Sequence, residues 1–226
     1  MTIHVLVEGP SERALLDRWI PRLLKGEDFR VHPHHGKGEL PPRLGDRPDP
    51  KRRGLLDQLP AKLRGFATSK EPQSHSVVVL VDADRDDPGR LARLIAGAAK
   101  QVAPDLSVTV CLAIEEIEAF YLGDLKALVK AFPAADLEKA RAYEPDSVCN
   151  TWELFGEIVG DGGANKVAWA EAMGPLLTTK AQASRSPSFK ALVIGLINLK
   201  AKPTKALRRN SYRHPAQTGR TPDGRR

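Results

Sequence analysis

Cysteine is scarce in this chain, and long apolar runs are absent. The two cysteines, Cys111 and Cys149, allow at most one disulfide and no zinc cluster. No apolar run approaches the roughly 20 residues that a membrane-spanning helix needs. The apolar residues before Glu8 are typical of a strand and not of a secretory signal. We therefore expect a cytoplasmic protein with no membrane contact.

Basic residues are concentrated at the C-terminus. The formal net charge of the 226 residues is +7, and nine basic residues but only one acidic residue follow Leu199. A near-neutral body with a basic tail indicates an anionic partner, DNA or RNA, which Arg208 and Arg209 would bind. The alternative is a solvated, flexible terminus.

Strand-like and helix-like patterns alternate over the first 131 residues. Apolar runs of strand length occupy residues 3–7, 29–32, 76–81 and 106–113. Helical periodicity lies between and after them, including one helix predicted to extend from Ile117 through Leu128. This alternation predicts an α/β fold, with a small, mainly parallel sheet flanked by helices.

Beyond Phe132 only helical patterns remain. They predict helices at residues 152–159, 166–177 and 188–199. We therefore expect an α/β core at residues 1–131, a helical annex packed on the core at 132–200, and a basic, flexible tail at 201–226. We find no internal repeat in the sequence.

Acidic residues directly follow two of the predicted strands. Glu8 ends the first, and Asp82 and Asp84 end the third. The carboxyl ends of parallel strands meet at one edge of the sheet, and alternate residues point to one face, so we expect these carboxylates to converge. Clustered carboxylates raise each other's pKa, and a divalent cation removes that penalty. The pattern predicts a Mg²⁺ or Mn²⁺ site with catalytic carboxylates, to which Asp86 would add a ligand.

A third acidic group follows the fourth predicted strand. Glu115 and Glu118 would share one face of the next helix, while Glu116 would extend to the site from the first turn. We prefer Glu116 and Glu118 as the metal ligand or catalytic base of this group. The alternative is that acids at the start of a helix serve only to stabilise the helix. Two other acids have structural explanations: Glu12 lies in a first helical turn, and Asp87 precedes Pro88 as a helix cap.

Basic and polar residues elsewhere suggest contacts with phosphate. Lys37 lies between two glycines, which allow the backbone to approach a phosphate closely, although no Walker A spacing is present. Ser186 and Pro187 are typical of a helix start, and Lys190 beyond them would contact nucleic acid. His32, His34 and His35 have the chemistry of transition-metal ligands, but their predicted loop setting favours solvent exposure.

Five motifs of this sequence, in order, resemble those of a Toprim-related prokaryotic family of unknown function. The motifs are Val7-Glu8-Gly9-Pro10-Ser11-Glu12, His35-Gly36-Lys37-Gly38, Val81-Asp82-Ala83-Asp84-Arg85-Asp86-Asp87, Glu116-Ile117-Glu118-Ala119-Phe120 and Ser186-Pro187-Ser188-Phe189. A strand ending in Glu-Gly and a later strand ending in Asp-x-Asp are similar to the Toprim domain. Topoisomerases, bacterial primases and the nucleases of the overcoming-lysogenization-defect group share that domain. The resemblance covers roughly residues 2–199.

The resemblance implies a Toprim-like, Rossmann-like fold with roles for the acids. Glu8 would be the acid/base or a metal ligand, Asp82 and Asp84 would hold Mg²⁺, and Glu116 or Glu118 would add a ligand. The chain has no room for topoisomerase cleavage domains and lacks primase zinc cysteines, which favours hydrolysis. Genes of this family often accompany ATPases in defence or mobile loci. This implies an AAA- or ABC-type ATPase partner.

Three functions follow from these patterns. The leading one is Mg²⁺-dependent phosphodiester hydrolysis of nucleic acid, as a subunit of an ATPase-linked antiphage defence system. The second is a non-catalytic sensor or docking subunit for the ATPase, in which the acids serve binding or structure. The third is a receiver-type phosphoacceptor at Asp84, disfavoured because Glu8 stands alone where an acidic pair is needed. The oligomeric state stays open.

Overall fold

The computed structural model describes residues 1–147, 150–162 and 165–201. Cys149 and the basic tail with Arg208 and Arg209 lie outside the described residues. The described chain contains a parallel sheet of four strands in the order β2-β1-β3-β4. The strands are β1 (Thr2–Val7), β2 (Asp28–Pro33), β3 (His75–Asp82) and β4 (Ser107–Ala113). The sheet confirms the predicted α/β fold class.

Helices flank both faces of this sheet. The core region holds α1 (Pro10–Leu23), α2 (Leu55–Ala67), α3 (Pro88–Val102), α4 (Glu118–Gly123) and α5 (Leu125–Ala131). Further along are α6 (Leu137–Ala142), α7 (Thr151–Val159), α8 (Lys166–Met173) and α9 (Pro187–Ala201), with short 3₁₀ turns at Pro72–Ser74 and Ala181–Ala183. No helix of the described residues is both long and apolar enough to cross a bilayer.

Alternation along the strands sends side chains to two apolar clusters. On β3, Val78 and Leu80 enter the cluster that contains α1, whereas Val77, Val79 and Val81 enter the cluster that contains α2 and α3. The same alternation places Asp82 on the α1 face, where α4 also lies. The strand pattern therefore sends the last residue of β3 into the interior of the molecule.

The helices after Phe132 pack on the α1 side of the sheet. Helix α8 packs against α1, and α9 packs against β4. Trp169 and Phe189 join the same buried cluster as Trp19. The core and the helices of the predicted annex therefore share one apolar interior, while the domain boundary at residue 131 stays a prediction.

Two helix predictions differ from the structure, and one helix has no predicted counterpart. The helix predicted from Ile117 through Leu128 is broken at Asp124, whose buried carboxylate accepts hydrogen bonds from the Ala127 and Thr178 amides at 3.1 and 2.8 Å. Helix α8 ends at Met173, before the Gly-Pro pair, and not at residue 177. Helix α6 was not predicted, because its six residues give too few apolar repeats.

Histidines link three neighbouring strands of the sheet: His4 of β1, His32 of β2 and His75 of β3. His4 Nδ1 lies 3.0 Å from His32 Nε2, and His4 Nε2 lies 3.0 Å from His75 Nδ1. Phe66 of α2 stacks on the His4 ring at 4.2 Å. The expected exposure holds for His35 but is wrong for His34, which is buried with Nδ1 2.7 Å from the Val7 carbonyl oxygen.

We predict that this cluster makes the fold acid-sensitive. Burial lowers the pKa of His4 and of His32 to about 4, with neighbouring positive charges adding to the effect. The folded state thus favours neutral rings, and the stability they contribute is present above the unfolded pKa and lost as pH falls toward about 4. As pH falls from about 7 to about 4, the free energy of unfolding of His4→Leu should rise by about 1–3 kcal/mol relative to that of wild type. Chemical unfolding measures this difference. Parallel pH profiles for the two proteins would contradict this.

Candidate functional site

Four carboxylates, of which Glu12 and Glu118 are buried and Glu8 and Asp82 are half-buried, form an inner layer at the carboxyl ends of the strands. Glu8 Oε1 accepts a hydrogen bond from the Asp82 amide at 2.8 Å, because β1 and β3 are neighbours in the sheet. Glu12 lies one turn into α1 and is 6% exposed, and Glu118 begins α4 and is 1% exposed. Of the predicted convergence of Glu8, Asp82 and Asp84, the structure shows direct contact between Glu8 and Asp82. The charges of Glu12, Glu118 and Asp84 also act on Asp82.

The electrostatics of this inner layer are unfavourable to four negative charges. Burial raises the pKa of Glu8 to about 7, with Glu12 and Asp84 adding to the shift against the Asp82 amide hydrogen bond. Burial, followed by the charges of Glu12, Glu8 and Glu118, raises the pKa of Asp82 well above its usual range. Burial also raises the pKa of Glu118 to about 7, although Lys166 opposes the shift. Near neutral pH the layer therefore holds protons or attracts a cation.

Unsatisfied polar atoms concentrate in the same layer. Glu12 Oε2, Glu118 Oε1 and the Tyr121 hydroxyl are buried and have no hydrogen-bond partner among the described residues. Burial, with the charges of Glu118, Glu12 and Asp82, raises the pKa of the Tyr121 hydroxyl well above its usual value. Buried polar groups normally have partners, so these oxygens mark a position for a bound proton, water or ion.

Asp84 and Asp86 belong to an outer layer that faces solvent. Strand β3 ends at Asp82, and Asp84 takes a left-handed conformation at φ 50° in the turn that follows. The expectation that Asp82 and Asp84 share one face is therefore wrong. Lys37 Nζ lies 3.1 Å from Asp84 Oδ2 and 2.6 Å from Asp86 Oδ2, and it donates to the Ala83 carbonyl at 3.2 Å.

The loop after β2 fixes the position of Lys37. The Gly36 amide donates to the Glu8 carbonyl at 2.9 Å, which ties the loop to the end of β1. Gly38 adopts φ +66°, and a Cβ there would lie 3.0 Å from Gly54 Cα and would collide with the Asp57 carboxylate. The backbone therefore passes through a space only glycine can occupy, and Lys37 is held over the acids.

Glu115 and Glu116 contact residues beyond position 132. The prediction that Glu115 and Glu118 share one helix face is wrong, because Glu115 lies before the helix. Glu115 has φ 76° and precedes α4; its Oε2 accepts hydrogen bonds from the Tyr143 hydroxyl at 3.0 Å and from the Thr151 hydroxyl. Glu116 Oε2 accepts from the Trp152 amide at 2.9 Å, and its Oε1 lies 3.3 Å from Lys166 Nζ. Helical periodicity does not apply to Glu115, because the chain turns before α4 begins.

A pocket of about 310 Å³ opens on the outer layer. Its lining residues are Lys37, Asp84, Arg85, Asp86, Glu115, Glu116 and Asn150. Glu8, Asp82 and Glu118 do not line it, so a ligand in the pocket meets the outer layer first. Lys190, in α9, is not among the lining residues either.

A family comparison covers the whole site. The model of DUF4276, described as a domain of unknown function, matches residues 7–197. The chain belongs to the DUF4276 family. The match runs from the end of β1 into α9 and includes both acidic layers of this DUF4276 chain. No curated protein and no solved structure matches the chain.

The donor chemistry of the DUF4276 site fits a hard divalent cation, although its geometry is open. Among the described residues, no three Asp, Glu, His or Cys side chains are already grouped as metal ligands. The fit depends on the two unpartnered carboxylate oxygens of Glu12 and Glu118 beside Glu8 and Asp82. Mg²⁺ and Mn²⁺ bind oxygen ligands of this kind and retain several waters, so one or two carboxylates are sufficient.

Sequence reasoning missed Glu12, Tyr121 and Lys166 as members of this site. The signal for Glu12 was available, because it precedes Leu15 and Leu16 on the apolar face of α1 at helical spacing. Lys166 follows a turn far along the chain, and nothing in the sequence indicated its ion pair. Two structural interpretations are confirmed: Asp87 Oδ1 accepts from the Arg90 amide at 2.5 Å, and Ser186 Oγ accepts from the Phe189 amide at 3.1 Å.

We predict that neutralising Glu118 stabilises the metal-free protein. Its folded pKa of about 7 lies above the unfolded value, so its favourable contribution is present at low pH and lost as pH rises through about 7. With a chelator at about pH 8, Glu118→Gln should raise the free energy of unfolding by about 1–2 kcal/mol, and by less at about pH 5. Chemical denaturation at the two pH values measures this.

Glu116→Gln is the matched control, since it makes the same chemical change two residues away. Glu116 has an ion pair with Lys166 and a hydrogen bond from the Trp152 amide. Its variant should therefore be neutral or slightly destabilised under the same conditions. If Glu118→Gln were less stable than wild type at about pH 8, ionised Glu118 would not destabilise the folded state and the prediction would be wrong.

Proposed function

We propose that this DUF4276 protein is a Mg²⁺- or Mn²⁺-dependent phosphodiesterase that hydrolyses nucleic acid. The observation that carries the proposal is the inner layer of Glu8, Glu12, Asp82 and Glu118, with raised pKa values and unpartnered oxygens. Such a layer is costly to fold and has no packing role, which is typical of a functional site. It also lies beside a pocket that the positively charged side chain of Lys37 borders.

Each residue of the site has a role in this proposal. Glu8 and Asp82, with Asp84, Asp86 or Glu116 from the outer layer, would hold the cation, which when bound polarises a phosphodiester and lowers the pKa of water. Glu8, whose pKa is about 7, is suited to accept or return a proton near neutral pH. Lys37 supplies positive charge at the pocket wall for a phosphate oxygen.

We further propose a relationship to the Toprim nucleases and a role in antiphage defence beside an AAA- or ABC-type ATPase. Support for the relationship is the order of motifs and the adjacency of the strands that end in Glu8 and Asp82. The partner and the defence role rest on the resemblance of the motifs alone. Within this proposal, the ATPase would control when nucleic acid enters the site.

A non-catalytic sensor or docking subunit is the second candidate. The observation in its favour is that lysines already neutralise the outer layer, with Lys37 beside Asp84 and Asp86 and Lys166 beside Glu116. In that function the acids and lysines would be structural partners. Binding of a divalent cation would then have no effect on nucleic acid.

We predict that Glu8→Gln and Asp82→Asn each lower metal-dependent cleavage by about a hundredfold or more, because each removes a charge needed to hold the cation. Both changes keep the shape of the side chain. The amide oxygen of the Glu8→Gln variant would still accept the hydrogen bond from the Asp82 backbone amide. The measurement is the cleavage rate of labelled DNA and RNA with Mg²⁺ or Mn²⁺, with and without the ATPase.

Asp87→Asn is the matched control, because Asp87 is an acid of the same loop whose carboxylate caps α3. Its cleavage rate should stay within about threefold of wild type. Unchanged cleavage by Glu8→Gln and Asp82→Asn would remove the proposed catalytic site. Absence of any cleavage by wild type under all these conditions would favour the non-catalytic candidate.

A further inference from the structure

A second pocket, of about 520 Å³, lies at the far end of α4 from Glu118. Five cationic side chains and one acid border it: Arg22, Lys126, Lys130, Lys180, Arg185 and Asp124. This composition contrasts with that of the acidic site, although Glu116 and Gly123, which line the two pockets, are only seven residues apart in the sequence. A basic surface of this kind has no counterpart in the phosphodiesterase site described above.

The positive charge of this pocket is not neutralised by ion pairs. None of its five cations forms an ion pair with a carboxylate of the described residues. Arg22 and Arg185 donate instead to backbone carbonyls, at 2.7 Å to Leu177 and at 2.5 Å to Tyr143. The carboxylate of Asp124 is occupied by two backbone amides. Carbonyl oxygens thus hold both guanidinium groups in place, and their charges have no carboxylate partner among the described residues.

The lysines complete an anion-binding surface. Lys126 and Lys130 are exposed and lie four residues apart on α5, so their like charges repel on one helix face. Lys180 is exposed and directly precedes the 3₁₀ turn at Ala181–Ala183. Its backbone amide donates to the Thr178 hydroxyl at 3.1 Å. A surface that concentrates like charges at a cost in stability is suited to a polyanion, whose phosphates remove the repulsion.

We propose that this basic pocket binds the phosphate backbone of the nucleic acid whose cleavage is assigned to the acidic site. The inference rests on the proposed function for its ligand and assigns a separate surface to hold that ligand. Two or three phosphates would contact Lys126, Lys130 and Lys180, with Arg22 and Arg185 at the base. Contacts of this kind are independent of base sequence, so they fix position and not specificity.

The test measures binding without cleavage. A fluorescently labelled DNA or RNA oligonucleotide is titrated with the full chain in chelator, so that hydrolysis plays no part. Lys126→Glu/Lys130→Glu/Lys180→Glu should weaken binding by about tenfold or more and lower the slope of log affinity against log salt by about 2–3. Replacement of the same lysines by glutamine should give a smaller loss in the same direction, with the unfolding midpoint unchanged or slightly raised because the repulsion is removed.

The matched control changes three exposed lysines elsewhere to glutamate, Lys51, Lys70 and Lys100. It carries the same net charge as the pocket variant, and the tail is identical in both. Equal losses in the two variants, or no loss in the pocket variant, would overturn the proposal. Lysine-dependent binding of inorganic phosphate without oligonucleotide binding would also overturn it, in favour of a small phosphate ligand. Failure of Asp82→Asn to lower cleavage would instead refute the acidic site alone.

Discussion

Repulsion among carboxylates that the sheet keeps from water is the constraint on which this structure depends. Parallel pairing places Glu8 beside Asp82, and the helices that follow the strands add Glu12 and Glu118. Apolar packing of α1 and α4 prevents these side chains from moving to solvent. Because the acids cannot separate, the folded state must bind a proton or a cation, and the proposed function depends on this requirement.

The helices beyond residue 132 complete this arrangement. They supply Tyr143 and Thr151 as donors to Glu115 and bring Lys166 to Glu116, so the end of β4 is held by partners distant in sequence. The outer acids Asp84, Asp86 and Glu116 therefore differ from the inner ones, since each of the three forms an ion pair with a lysine. In the proposed function, a cation entering the pocket would meet the outer acids first and would lower the repulsion among the inner ones.

The sequence was sufficient for the sheet and for part of the site. Runs of β-branched and apolar residues identify β1 and β3, and parallel topology alone brings Glu8 to Asp82. The period-two argument failed at Asp84, because the strand had already ended and a left-handed residue redirected the chain. Lys166 was not predictable, since its place depends on tertiary packing of α8 against α1 and not on any local pattern.

The opposite charges of the two pockets address one physical difficulty. An acidic site repels nucleic acid, so a phosphodiester enters it only if a cation offsets the carboxylates or if binding elsewhere offsets the repulsion. In the structure Lys37 and Lys166 form ion pairs with outer acids, and their charges only partly oppose the raised pKa values of Glu8 and Glu118. A basic surface at the other end of α4 would supply attraction without placing further cations at the site, where they would compete with the metal for the carboxylates. In this proposal, a separate basic surface supplies the attraction, and the inner carboxylates remain able to exchange their protons for a cation.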